Sequence, residues 1–337
     1  MDADPVGDLA LLAARDPRVR FAAEARLRLA GAAGWHALAR LAACDPLPDL
    51  LRARVADLLG SLLRERTVDI FREAVPDPTH ADLWTAAVAI AAEGHPELDR
   101  ADVDARLEGL VEDARERVGE DLPAAARIAR LTEFLHEDAG LHGSEAGPAD
   151  LRNSYLPDVL TRRTGIPVTL AVVWLEVARR LGLPGAGVGL PLHFVARCET
   201  TEGPVFIDAF HGVVLDASGC RRLVAKAAGR AVEVPDRMLH PLRTSEVLAR
   251  MLRNLRAAHE RTGNLHAALA TADRLLHLEP LDGLALRDRA VLLTRLDRPA
   301  QAARAIARAL TIEPEAADRI PLETLRKSML REAAKRN

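Results

Sequence analysis

The chain has 337 residues, 49% of them apolar but only 3% aromatic, and its 46 Lys and Arg against 49 Asp and Glu leave a net charge of −3. That length allows two or three compact units, and the scarcity of aromatics points to an interior of Leu, Ala and Val, the material of stacked helices. Charges of alternating sign exclude a global field for nucleic acid or acidic lipid.

Met1-Asp2-Ala3-Asp4 is acidic, unlike the basic start of a signal peptide, and no window approaches the ~18 unbroken apolar residues of a membrane span. The three cysteines, Cys44, Cys198 and Cys220, are scattered and lack paired metal-ligand spacing. A cytoplasmic protein with neither membrane nor nucleic-acid partners is expected.

Residues 1–75 read as short antiparallel helices, one run beginning at Asp16-Pro17 and another at Asp49-Leu50. That spacing suggests HEAT-like hairpins. Between Asp82 and Glu137 two apolar stripes follow, Leu83, Ala86, Val88 and Ile90, then Ile128, Leu131 and Phe134. Gly140, Gly143 and Gly147-Pro148 mark a loop.

Thr164-Gly165-Ile166-Pro167 starts a helix with proline near the first-turn position. The segment from Val168 to Leu181 is apolar nearly all round, which places it inside a core, and Gly182-Leu183-Pro184 ends it. Leu192–Ala196 and Val205–Asp208 read as strands joined by a polar turn at Glu199–Glu202. A turn centred between Thr200 and Thr201 puts His193 directly across from Asp208, so that a carboxylate orients an imidazole. A slip of one residue would separate them.

In the last third, His277-Leu278-Glu279-Pro280 recurs as Thr311-Ile312-Glu313-Pro314, an offset of 34 residues that superposes Ala268 on Ala302 and Arg274 on Arg308. Thirty-four is the tetratricopeptide period, and two such units should lean on the preceding domain.

The central motifs resemble the bacterial SirB family: Asn153-Ser154-Tyr155-Leu156, Arg162 through Pro167, Ala178 through Pro184, His193-Phe194 and Ile207-Asp208. The resemblance implies an α+β, mostly α fold, with a transglutaminase-like (papain-type) core and small antiparallel sheet over residues 76–244. Tetratricopeptide repeats would occupy 245–337; the HEAT-like helices at 1–75 lie outside the resemblance. It assigns His193 and Asp208 to the histidine and aspartate of a transglutaminase-type triad, and the cysteine position falls on or beside Pro167, which cannot act as a nucleophile. Ala209 and Gly212-Val213 depart from the family's pattern of proline and paired glycines after the aspartate.

Thr169 is the hydroxyl nearest the helix start and reads either as a replacement nucleophile or as a first-turn cap. Ser154 likewise reads as a replacement nucleophile or, with Asn153, as a cap for the helix containing Leu156, and Asn153, Ser154, Tyr155, Pro167 and His211 are candidate binding residues. Cys198 should point away from His193, and Cys220 is placed in a loop. His193, Asp208, His211 and Cys220 make a conceivable metal cluster, but no regular ligand spacing supports one; no metal and no cofactor are expected. The helix start near His193 should attract an anion such as a peptide carboxylate.

The expected function is a non-catalytic transglutaminase-like protein that binds a protein or peptide through helical repeats. The alternative is an amide hydrolase or acyl transferase in which His193 and Asp208 act with a non-cysteine nucleophile or water. Regulation of transcription through a partner is suggested only by the family's name.

Overall fold

A computed structural model of the chain describes residues 5–43, 47–313 and 319–335. Cys44 and Pro314 lie outside these described residues.

Four helices come first: α1 (Pro5–Leu11), α2 (Pro17–Leu29), α3 (Ala32–Ala42) and α4 (Asp49–Ala74). Asp16 caps α2 by accepting the Arg18 N–H at 2.8 Å. Leu12, Ala23, Leu27, Leu38, Val55 and Leu58 make a small core between them. Only the first three helices are short. α4 runs unbroken for 26 residues, because its apolar stripe continues past Gly60 from Val55 and Leu58 to Val68 and Phe71, and Phe71 ends in the main core.

The main core holds α5 (Leu83–Ile90), α6 (Arg100–Val118), α7 (Ala124–Glu133), α8 (Leu156–Arg162) and α9 (Pro167–Arg180). α7 continues as a π-helical turn, Phe134–Asp138. The short strands β1 (His142–Gly143) and β2 (Thr164–Gly165) pair in parallel and lead into α9. As the sequence predicts, α9 is buried at every position from Val168 to Ala178, and its Trp174 donates to the Thr132 hydroxyl at 3.2 Å.

Beside α9 lies an antiparallel sheet in the order β3 (Gly185–Leu190), β4 (His193–Thr200), β5 (Gly203–Asp208), β6 (Val213–Leu215), followed by α10 (Ala217–Ala228). One face carries Phe194, Ala196, Cys198 and Ile207 into the core around α9. The other carries Val188, Leu190, Val195 and Phe206 onto Cys220 and Val224 of α10. β3 and β6 are not anticipated in the sequence. β3 is rich in glycine, a poor strand former, yet a Cβ at Gly187 would meet the Phe194 ring at 2.5 Å and one at Gly185 the Cys198 sulfur at 2.8 Å. Those glycines give room to neighbouring side chains.

The β4–β5 register corrects the expected pairing by two residues. Thr200 stands opposite Gly203 and Ala196 opposite Ile207, so the turn is centred between Thr201 and Glu202. The Thr200 hydroxyl donates to the Gly203 carbonyl at 2.7 Å and accepts the Glu202 N–H at 3.2 Å, closing the hairpin there. A shift of two preserves the side-chain faces.

Antiparallel helices complete the chain: α11 (Thr244–Thr262), α12 (Leu265–Leu278), α13 (Gly283–Arg295), α14 (Pro299–Ile312) and α15 (Arg319–Ala334). α12 and α14 start and end 34 residues apart, in keeping with the sequence repeat. α11 sends Val247, Leu248, Met251, Leu252 and Leu255 into the main core. α12 crosses α4, where the His266 ring lies so close to Gly60 that a Cβ would sit 2.6 Å from it, and Arg64 of α4 pairs with Asp273 at 2.7 Å. Deeper in, Glu93 accepts from the Tyr155 hydroxyl at 2.9 Å, from His259 Nε2 at 2.7 Å and from Arg274. No helix among the described residues is long and apolar enough to cross a membrane.

Candidate functional site

His193 opens β4 and Asp208 closes β5, so both stand at one end of the sheet. The observed register makes them diagonal neighbours on the same face, and the long imidazole spans the gap. His193 Nε2 lies 2.9 Å from Asp208 Oδ1. The same oxygen accepts the Phe210 N–H at 3.1 Å, while Oδ2 is 2.6 Å from Nδ1 of His211. Asp208 is fully buried and His193 nearly so, whereas His211 is exposed. Burial pushes the Asp208 carboxyl upward, but hydrogen bonds and charge from His193 and His211 outweigh it and hold the group below its ordinary range.

The turn after Asp208 is tight. Gly212 has φ of +67°, and the His136 ring of the π-helical turn sits where a Cβ would be, 2.2 Å away. This single glycine provides the left-handed residue that leads into β6, so the departure from the family's pattern leaves a compact corner.

The pair sits on the sheet face opposite α9. His193 alternates with Phe194, which packs on the α9 side, and shares its face with Val195. Asp208 likewise shares a face with Phe206, toward α10. Phe210 lies beside the His193 ring, 5.9 Å between centroids, and presses on Gly143, whose strand pairs with β2.

Pro167 is the first residue of α9. Thr169 caps that helix: its buried hydroxyl donates to the Asn153 carbonyl at 2.8 Å and accepts the Ile166 N–H at 3.1 Å. Asn153 is equally committed, its amide reaching the Ser144 hydroxyl and the Gly147 carbonyl, both at 2.8 Å, and its oxygen accepting from Arg162. Neither Asn153 nor Ser154 caps α8, whose N-cap is Tyr155 with no side-chain bond. The two belong instead to a 3-10 turn, Leu151–Ser154, capped by Asp150. The Ser154 hydroxyl is buried without a hydrogen-bond partner. Tyr155 is directed to Glu93, away from the pair, and burial raises its pKa.

Cys198 points to the α9 side, as expected from strand alternation, and burial raises its thiol to about 12. Cys220 lies in the first turns of α10, not in a loop, because Asp216 accepts the Gly219 N–H at 2.6 Å and starts a helix there. Burial, then the charges of Asp208 and Asp216, push Cys220 up to about 12. Its sulfur makes no hydrogen bond to His193 among the described residues, and the ligand cluster of His193, Asp208 and His211 does not include it. The sequence reading missed that His211 is the second donor to Asp208; the Asp-x-x-His spacing across a turn was the available signal.

Residues 101–253, from the start of α6 into α11, match the transglutaminase-like superfamily. A UPF0162 protein of Xylella fastidiosa is 36% identical over 238 residues, covering 69% of this chain and 84% of that relative. The chain belongs to the UPF0162 family. Another UPF0162 protein, from Pseudomonas aeruginosa, is 32% identical over 240 residues, 71% of this chain and 88% of its own length. The UPF0162 protein YchA of Escherichia coli is 30% identical over 198 residues, covering 58% and 73%. No solved structure matches this UPF0162 chain.

Proposed function

We propose that this UPF0162 protein is a cytoplasmic, non-catalytic transglutaminase-like protein of the SirB type that binds a protein or peptide partner. In this reading α11 to α15 act as tetratricopeptide hairpins. One observation carries it: no thiol or hydroxyl among the described residues hydrogen-bonds to His193, which instead holds Asp208. Proline heads the helix where the resemblance to the SirB family implies a cysteine, and the Thr169 hydroxyl is engaged in capping. Acyl transfer needs a nucleophile within reach of its base, and among the described residues no thiol or hydroxyl is hydrogen-bonded to that imidazole. For binding, Leu284 and Val291 are exposed one heptad apart on one face of α13, near exposed Leu281. In this reading they offer the partner apolar contact on a repeat helix.

The rival reading, an amide hydrolase or acyl transferase acting through water, draws on the ionised Asp208 and the half-exposed His211 beside it. Assays of deamidation, amine transfer and peptide cleavage separate the two. The wild type should show no turnover above that of His193→Ala. Turnover that vanishes in both His193→Ala and Asp208→Ala would replace this reading with the rival one.

A further inference from the structure

Orienting one imidazole takes a single carboxylate, yet Asp208 holds two. His193 Nε2 and His211 Nδ1 address opposite oxygens of the carboxylate at 2.9 and 2.6 Å, and one ligand atom from each of the three residues lies within 4.8 Å of the others. We propose that His193, Asp208 and His211 bind a divalent transition-metal ion of the zinc and ferrous class. The inference is independent of the partner-binding reading.

The donor set selects the ion. Two imidazole nitrogens and one carboxylate oxygen, with further positions open, suit zinc or ferrous iron. Magnesium and calcium prefer oxygen donors throughout. With metal–ligand bonds of about 2.1 Å, neighbouring ligand atoms in a tetrahedral site are roughly 3.4 Å apart, so small side-chain rotations close the cluster on an ion. On binding, each imidazole presents a lone pair at the nitrogen now facing Asp208 and carries its proton on the other.

The frame is rigid on the protein side and open on the other. Asp208 accepts the Phe210 N–H, and Gly212 is pinned against His136, so the turn that presents His211 is fixed at both ends. The His193 and His211 rings lie 5.7 Å apart and only 28° from parallel. The exposed side of His211 gives an ion a way in and leaves room for water or a ligand carboxylate.

The test uses untagged full-length protein in a Cys44→Ser background, stripped with chelator and titrated with Zn²⁺ by calorimetry and with Co²⁺ by visible absorption. One-to-one uptake is expected, with cobalt bands that lack thiolate charge transfer. His211→Ala should weaken binding at least about 10-fold while circular dichroism stays unchanged. If that variant misfolds, His211→Asn keeps a donor toward Asp208 and should weaken binding similarly. His142→Ala, exposed and outside the cluster, should bind as the wild type does. Absence of saturable uptake, or equal affinity in a folded His211 variant, overturns the site.

Discussion

Leu192 shows how much a single backbone angle can reveal. It occupies the third position of the Leu190–His193 turn with φ of +61°, after Pro191, and its side chain is largely exposed. A type II turn asks for glycine there, and a leucine in the left-handed region is strained by roughly 1–2 kcal/mol. Leu192→Gly relieves that strain but frees the unfolded chain, so a net gain of about 0.5–1 kcal/mol is expected. The urea midpoint of the variant against the wild type measures it, and a lower midpoint would show that Leu192 is held by contacts worth more than its strain. Asp208 and His211 teach the complementary lesson. Their three-residue spacing is visible in the sequence, but only the turn closed by the His211 N–H on the Asp208 carbonyl brings the second imidazole onto the carboxylate.

At the scale of elements, α9 was the most legible. Proline at its start, a run apolar nearly all round and glycine after its end correspond to the observed Pro167–Arg180 span. β4 and β5 were legible as strands, while their register depended on a two-residue turn held by the Thr200 hydroxyl, a local bond that apolar patterning does not report. β3 escaped because its glycines accommodate neighbours instead of signalling a strand. Thr169 belongs at this scale, since its hydroxyl ties the start of α9 to the carbonyl of Asn153 in the preceding 3-10 turn. Thr169→Val should therefore cost about 1–2 kcal/mol, with Thr169→Ser restoring most of it. Denaturant unfolding of the two variants distinguishes a cap from a packing methyl: equal losses in both would count against the hydroxyl.

For the whole molecule, the decisive contacts join distant parts of the chain. Glu93, just after α5, meets His259 of α11 and Arg274 of α12, all three buried. Because α11 also fills the main core, a division at residue 244 separates helices that share one interior. Removing one partner of a buried ion pair leaves an uncompensated charge and costs about 3–5 kcal/mol. Glu93→Gln should show that loss, and combining it with Arg274→Met should recover much of it. Burial pushes the Glu93 carboxyl up, but Arg274, His259 and Tyr155 outweigh this and hold it below its ordinary value. Its contribution is thus complete above the unfolded-state pKa of about 4.3 and is lost as pH falls through the lower folded value. Wild-type stability should fall faster than that of Glu93→Gln below about pH 4; parallel acid unfolding curves would remove Glu93 from this role.

Local chemistry written along the chain was enough to specify the buried helix with its ends, the two strands bearing His193 and Asp208, and the 34-residue repeat, because caps, apolar periods and breakers act over a few residues. Which face of the sheet the histidine occupies, that a second imidazole joins it, and that Glu93 meets Arg274 were decided only by tertiary structure. Those outcomes depend on register and on contacts between residues far apart in sequence, where the geometry of chain closure, not local preference, sets who meets whom.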